Sequence, residues 1–495
     1  MDSPTIMIIV LAPVLAIAWC LYEILNCPQA LRQIPAVSFW KSVIATLTSM
    51  DASERFDKLI VPVVNEKGLA RQFAFGKWMV LVSKPEYAKA ILMKADAFPK
   101  IILGREQPNT LRAKLSNVNI ASSNGEEWKK HRRVANPAFH RTWTTTAFGE
   151  LMSRLMVEIE KAESAIPIKE FMQRMTLDAL GKIIFDYDFN SIGNQRGDIV
   201  KLYNTILSGF NDPFYNMFPF LENIPFFGRR GYRTELEKFN EFILSIVNSK
   251  IEATSEKKTV DLRGADLVTL MIHAGEEEGQ KLTPEEIRND VITFFIAGHD
   301  TTANALSSAI YYLGIHPEAQ QKAREEANRV LGDEERNLCP TFAQQQNELL
   351  YITAVIKESM RLNPSASQVI PRRSCEPIQF GEFILPVGTP VNVHIYSMQH
   401  NSNYWDNPYR FMPERFLDEQ TNRDFFSWLP FGGGSRRCIG MNFSLIEQRV
   451  VLSMMLRKFS WSLPHNSIHF DSLKTMPSSG LMETRDLFIN FKKLY

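Results

Sequence analysis

With 495 residues, 45% of them apolar and 22% charged, the chain has the make-up of an ordinary globular protein and not of a disordered one. Its 56 Lys and Arg against 55 Asp and Glu leave a net charge of +1, which argues against a nucleic-acid binder. The five cysteines, Cys20, Cys27, Cys339, Cys375 and Cys438, are odd in number and form neither a CxxC pair nor a zinc spacing, so a disulfide scaffold is excluded and one cysteine with a special task becomes the question.

No charge occurs from Thr5 to Tyr22, and the apolar run from Ile6 to Leu25 is roughly 20 residues long, enough to cross a bilayer core. Trp19 and Tyr22 suit an interfacial belt. Ala16-Ile17-Ala18 resembles a signal-peptide cleavage site, but no positive n-region precedes it, only Asp2. Residues 1–26 therefore read as a retained transmembrane anchor. Arg32 and Lys41 follow the span, which places the large domain on the cytosolic side. Pro28 and Pro35 mark residues 27–40 as a stiff hinge, and 41–495 read as a single domain.

Gln72 to Val82 predicts a β-hairpin turning at Gly76-Lys77, and Ser83 with Pro85 predicts a helix start. The next few hundred residues are mostly helical, without internal repeat. Phe210 to Phe227 is unusually aromatic and fits no clean helical period; it suits a membrane surface or a core equally. Thr283, Pro284 and Glu286 stand as N-cap, first helical residue and capping-box partner of a helix that need not stop before Gly314. Such a rod is ~45 Å long, so its middle should be buried. Gly381 to Val393 is a strand region punctuated by glycine and proline.

The decisive segment is Phe431-Gly-Gly-Gly-Ser-Arg-Arg-Cys-Ile-Gly440, followed by an apolar helix from Met441. Glycines 432 to 434 permit a tight turn and a close approach to a flat ligand. Cys438 stands just before a helix N-terminus, where free N–H groups favour the thiolate that iron needs. Arg436 could answer a porphyrin carboxylate, and Gly440 would let the helix approach the ring. The segment resembles, at every fixed position, the Phe-x-x-Gly-x-Arg-x-Cys-x-Gly signature of the cytochrome P450 superfamily, in its membrane-anchored, microsomal, fungal-like form.

Other motifs of that family occur in order. Glu358-Ser-Met-Arg361 shares a helical face, and Pro413-Glu-Arg-Phe416 supplies Arg415, which resembles the third member of a structural ion network. Trp128-Lys-Lys-His-Arg132 sets an indole donor and a guanidinium one turn apart, suited to a haem carboxylate. Arg372 is preferred to Arg373 as a further carboxylate contact. In Ala297-Gly-His-Asp-Thr-Thr302, Gly298 costs about 1 kcal/mol in a helix and so should serve close approach, a local bulge or room for oxygen. Asp300 and Thr301 supply an acid and a hydroxyl for proton delivery.

The resemblance implies a mainly α fold with small β-sheets, haem b between the long helix and the cysteine-loop helix, and Cys438 as iron ligand. Trp128, Arg132, Gly298, Arg372, Phe431, Arg436 and Gly440 would bind the cofactor, and Thr301 with Asp300 would be catalytic. It implies a monooxygenase that hydroxylates a lipophilic small molecule, with steroids and other isoprenoids first, then fatty acids or foreign aromatics. Residues 101–115, 210–227 and 365–370 would shape the substrate's route. No Gly-x-Gly-x-x-Gly follows a strand, so electrons must come from NADPH through a separate cytochrome P450 reductase, with cytochrome b5 as a further donor. Lys129, Lys130, Arg133 and Arg437 offer charges to an acidic partner. The expected location is the endoplasmic reticulum membrane. The alternatives are a reductase-independent isomerase or peroxygenase, and a non-enzymatic haem carrier or sensor.

Overall fold

The computed structural model describes residues 26–494, with Ala18 and Tyr22, apart from 116–117, 141–142, 194–197, 211, 225–228, 257–264, 278–280, 333–337, 418–423 and 478–479. The anchor expected over residues 1–26 lies almost wholly outside the described residues. Among those described, no helix is long and apolar enough to cross a membrane.

Helices carry the chain. Those that build the site and its surroundings are α1 (Pro85–Met93), α2 (Leu111–Leu115), α3 (Gly125–His140), α4 (Thr146–Glu160), α5 (Ile168–Leu180), α6 (Asp198–Phe210), α7 (Pro213–Met217), α8 (Arg230–Glu256), α9 (Pro284–Ile315), α10 (Leu350–Leu362) and α11 (Met441–Lys458). The strands are β1 (Leu69–Ala74), β2 (Lys77–Val82), β3 (Ile166–Pro167), β4 (Arg372–Arg373), β5 (Ile378–Phe380), β6 (Phe383–Leu385), β7 (Pro390–Val393), β8 (Phe459–Ser462) and β9 (Phe488–Lys493). They form a four-stranded sheet in the order β1-β2-β7-β4, a three-stranded sheet β3-β9-β8 and the pair β5-β6.

The capping box at the start of α9 is formed: Thr283 accepts from the Glu286 N–H at 3.2 Å, and Glu286 accepts from the Thr283 N–H at 2.7 Å. From there α9 runs unbroken for 32 residues. Its apolar positions, including Val291, Phe295, Leu306 and Ile310, are fully buried in the main core with α4, α5, α8, α10 and α11. A second core lies under the larger sheet, where Leu69, Val80, Val391 and Val393 pack on Ile91 and Leu92 of α1.

Three local expectations change. The β1–β2 turn is Phe75-Gly76, both at positive φ (54° and 75°), and Lys77 already belongs to β2. Such a two-residue turn matches the right-handed twist of the strands. Ser83 caps nothing: its hydroxyl donates to the Val64 carbonyl, and Lys84 precedes α1. The segment expected as a hinge is packed down, since Leu31, Ile34 and Val37 are buried and Arg71 of β1 exchanges backbone hydrogen bonds with Pro35 and Val37.

Glu358 ties α10 to the following loops. Arg361 donates to both its carboxylate oxygens (2.7 and 2.9 Å), and Arg415 donates to one of them (3.2 Å). Arg361 also reaches the carbonyls of Gln399, Pro408 and Arg410 at 2.9, 2.6 and 3.2 Å. Both Glu358 and Arg361 are wholly excluded from solvent. Glu358→Ala would strand two guanidinium groups and should cost about 3–5 kcal/mol, whereas Thr283→Ala should cost about 1 kcal/mol; chemical denaturation of the two variants checks the contrast.

Candidate active site

The loop before α11 is built to hold one sulfur. The Cys438 N–H donates to the Phe431 carbonyl at 2.9 Å, closing the loop on itself. Gly440 is the N-cap of α11, and its N–H reaches back toward the sulfur. Gly434 has a φ of 68°, and a Cβ there would collide with the Leu92 carbonyl of α1. The glycine therefore serves the approach of two backbones.

Cys438 is surrounded by protein but not packed against it on every side. Ala297 is likewise accessible in the middle of α9, although Phe294, Phe295, His299 and Asp300 around it are buried. Both face internal space. Burial pushes the Cys438 thiol up, while the Gly440 N–H, Arg132, Lys100 and Arg437 pull it down. Burial thus outweighs the Gly440 N–H at the helix N-terminus.

Around this sulfur stand cations. Lys100 feels the positive charges of Arg436, Arg372 and Arg132, and burial together with that repulsion holds its pKa well below the ordinary lysine value. Arg436 is pushed down to about 9 by burial and by Arg372 and Arg132. None of the four makes an ion pair among the described residues. They rest instead on carbonyls: Lys100 on Ala121 (2.8 Å), Arg436 on Ser123 (2.7 Å), Arg372 on Phe98 (3.2 Å) and Arg132 on Arg437 (3.2 Å). The buried Arg372 Nε has no partner among the described residues. Arg436 also lies 4.4 Å from the ring of Trp128. Arg373 points elsewhere, to Glu106 at 2.5 Å.

Residues 68–490 match the family model described as Cytochrome P450. The chain belongs to the cytochrome P450 family. Among its relatives are "Cytochrome P450 4A10" of Rattus norvegicus, 30% identical over 82% of this chain and 82% of that one, and "Protein LUTEIN DEFICIENT 5, chloroplastic" of Arabidopsis thaliana, 30% identical over 79% of this chain and 67% of that protein. The crystal structure of the cytochrome P450DA heme domain has the same fold, with a TM-score of 0.78 at 22% identity, covering 93% of this chain and 97% of the other.

Members of the cytochrome P450 family are monooxygenases with a cysteine-ligated haem b. The residues present fit that group. A soft sulfur faces internal space, and four cations without a carboxylate match a dianion.

The close approach expected at Gly298 is made to α5, since an added Cβ would sit 2.8 Å from Leu180 Cδ1, and α9 keeps its α-helical form without a bulge. Asp300 and Thr301 meet different neighbours. Neighbours on a helix diverge by roughly 100°, and Asp300 accepts from Gln173 of α5 (2.7 Å) and Tyr203 of α6 (2.6 Å). His299 Nε2 lies 3.4 Å from the same carboxylate. Thr301 donates to the Ala297 carbonyl at 2.7 Å, and its own carbonyl accepts from Ser365 at 2.6 Å.

A cavity of about 980 Å³ is lined by Gln173 and His299, together with polar residues such as Lys169, Asn204 and Glu483, but not by Cys438 or Thr301. Leu177, Leu207, Phe214, Met476 and Phe488 also line it, so polar and apolar walls meet beside the Asp300 cluster. Lys100, Gln173 and Tyr203 belong to no motif, and nothing in the sequence near them signals their part. Of the charges expected to face a partner, Lys130 pairs with Glu286 at 2.9 Å and Lys129 with Glu126 at 2.6 Å, while Arg133 and Arg437 are exposed.

Replacing Arg372 by alanine should accelerate haem loss roughly tenfold to a hundredfold, the worth of one charge-assisted hydrogen bond. Arg373→Ala should leave haem retention near wild type; transfer of haem to an acceptor protein, followed by absorbance, separates the two.

Proposed function

We propose that this chain is a haem-thiolate monooxygenase that inserts one atom of O2 into a lipophilic small molecule, taking electrons from NADPH through a separate reductase. The observation that carries this reading is the convergence of Cys438 with Lys100, Arg132, Arg372 and Arg436, without an acid among the described residues to neutralise them. Haem b bound there would activate O2 and supply an oxidant able to attack unactivated C–H bonds.

The chain's own residues have distinct tasks. Cys438 would ligate the iron, losing its proton on doing so. Trp128, Arg132, Arg372, Arg436 and Lys100 would hold the two carboxylates, while Phe431 and Gly440 shape the loop around the sulfur. Asp300, held by Gln173 and Tyr203, would relay protons from the cavity that Gln173 and His299 border. Thr301 would pass protons onward, its hydroxyl leaving the Ala297 carbonyl to hold a water beside Ala297. Glu358, Arg361 and Arg415 hold the loops in register and take no part in the chemistry.

The substrate range expected from family analogy runs from steroids and other isoprenoids to fatty acids. The apolar run at residues 6–25 supports a single-pass anchor in the endoplasmic reticulum membrane, with the catalytic domain in the cytosol. NADPH–cytochrome P450 reductase, assisted by cytochrome b5, fits Arg133 and Arg437 as docking charges.

Turnover with reductase, NADPH and labelled O2 should place one labelled atom in the product. Thr301→Ala and Asp300→Asn should each lower product formed per NADPH by roughly a hundredfold. Product formed from a hydroperoxide without reductase, equally fast in Thr301→Ala, would instead establish the isomerase or peroxygenase class.

A further inference from the structure

Asp290 stands near the start of α9 with both carboxylate oxygens in use. Nδ1 of His131 on α3 lies 2.6 Å from one of them, and the Ile120 N–H donates to the other at 2.7 Å. A carboxylate only accepts, so the shared proton belongs to Nδ1. Asp290 and His131 are both wholly excluded from solvent. Burial raises the Asp290 pKa, while the His131 and Ile120 hydrogen bonds oppose the rise. Charge-assisted hydrogen bonds of this kind are short, directional and stronger than neutral ones.

Each arm of this link leads to the cations around Cys438. On one side, His131 is a neighbour of Arg132 and lies within a turn of Trp128 on the same helix. On the other, Ile120 opens a strip of chain that receives two further cations. The Ala121 carbonyl takes Lys100 at 2.8 Å, and the Ser123 carbonyl takes Arg436 at 2.7 Å. Asn124 accepts from the Lys100 backbone N–H at 2.9 Å and donates to the Lys100 carbonyl at 2.8 Å. Asn289 donates to the Val118 carbonyl at 3.0 Å, so the strip meets α9 at two adjoining residues. The Lys130–Glu286 pair also joins α3 to α9, but it is partly exposed and contributes less.

Asp290 also shares a face of α9 with Ala297. Seven residues make nearly two turns, which sets the two about 10 Å apart along the helix and within roughly 20° of the same direction. One buried carboxylate thus relates Trp128, Arg132, Lys100 and Arg436 to the face of α9 on which Ala297 lies.

We propose that Asp290 is a positioning residue for the cofactor: acting through His131 and Ile120, it holds the cations that would receive the haem carboxylates in register with α9. This rests on the haem-thiolate reading above and adds to it a residue outside every motif. The working atom of His131 is then Nδ1; Nε2, buried and without a partner among the described residues, takes no part in the link.

The test follows haem transfer from the full-length holoprotein to an acceptor protein. Asp290→Ala and His131→Leu should each speed haem loss roughly tenfold to a hundredfold. Asp290→Asn still accepts from Ile120 and offers an N–H to the ring, and His131→Asn places an amide N–H where Nδ1 stood, so both should stay within roughly threefold of wild type. Asn363→Ala, which removes the 2.7 Å hydrogen bond to Ser308 further along α9, should leave haem loss near wild type. Unchanged haem loss in Asp290→Ala and His131→Leu overturns the proposal, and so does an equal acceleration in Asn363→Ala, which would mean general loosening of α9. Acceleration in His131→Asn as large as in His131→Leu overturns it as well, by giving the role to Nε2. If Asp290→Ala does not fold, the two His131 variants decide alone. Thiolate-type absorption of the reduced CO complex in the wild type keeps the haem-thiolate reading whatever these variants do; its absence rejects that reading itself.

Discussion

Like charges gathered away from water set the terms for this molecule. Lys100, Arg132, Arg372 and Arg436 come from four separate stretches of chain, repel one another, and lower one another's proton affinity. Backbone carbonyls soften that repulsion without cancelling it. A dianion would offset part of it, and a metal bound by the Cys438 sulfur would displace the thiol proton to solvent. Cofactor binding is then part of the folding balance, because a ligand held only by the native state stabilises it by mass action.

The rest of the fold keeps these groups from relaxing apart. Glu358 spends its carboxylate on Arg361 and Arg415, and Arg361 in turn pins three carbonyls of the loops leading to the cysteine segment. Gly434 lets that segment press on the backbone of α1. On the opposite face, α9 is fixed by the buried pair His131–Asp290 (2.6 Å) and by the entry of Leu180 at Gly298. A rigid helix and a braced loop thus hold the two parts of the site in fixed positions.

What the sequence made legible follows from how local each signal is. The capping box of α9, the Glu358–Arg361 pairing and the cysteine loop each lie within a few residues, and the helix and turn that result are determined by short-range geometry. Adjacent strand residues face opposite sides, so only one of Arg372 and Arg373 could join the cations, and the preference for Arg372 comes from the family resemblance alone. The direction of Gly298 and of Asp300 was not readable, because helix phase says that they diverge from Thr301 but not which helix they will meet. Lys100, Gln173 and Tyr203 acquire their surroundings from distant parts of the chain, and no pattern near them announces it.

The central claim is that one sulfur, Cys438, sets the character of the iron while the cations hold the ring. The most direct measurement is the absorption spectrum of the reduced CO complex, for the wild type and for Cys438→His. Thiolate-type absorption in the wild type, replaced by imidazole-type absorption in a variant that still retains haem, is the predicted result. Thiolate-type absorption surviving the substitution, or failing to occur in the wild type, would contradict it.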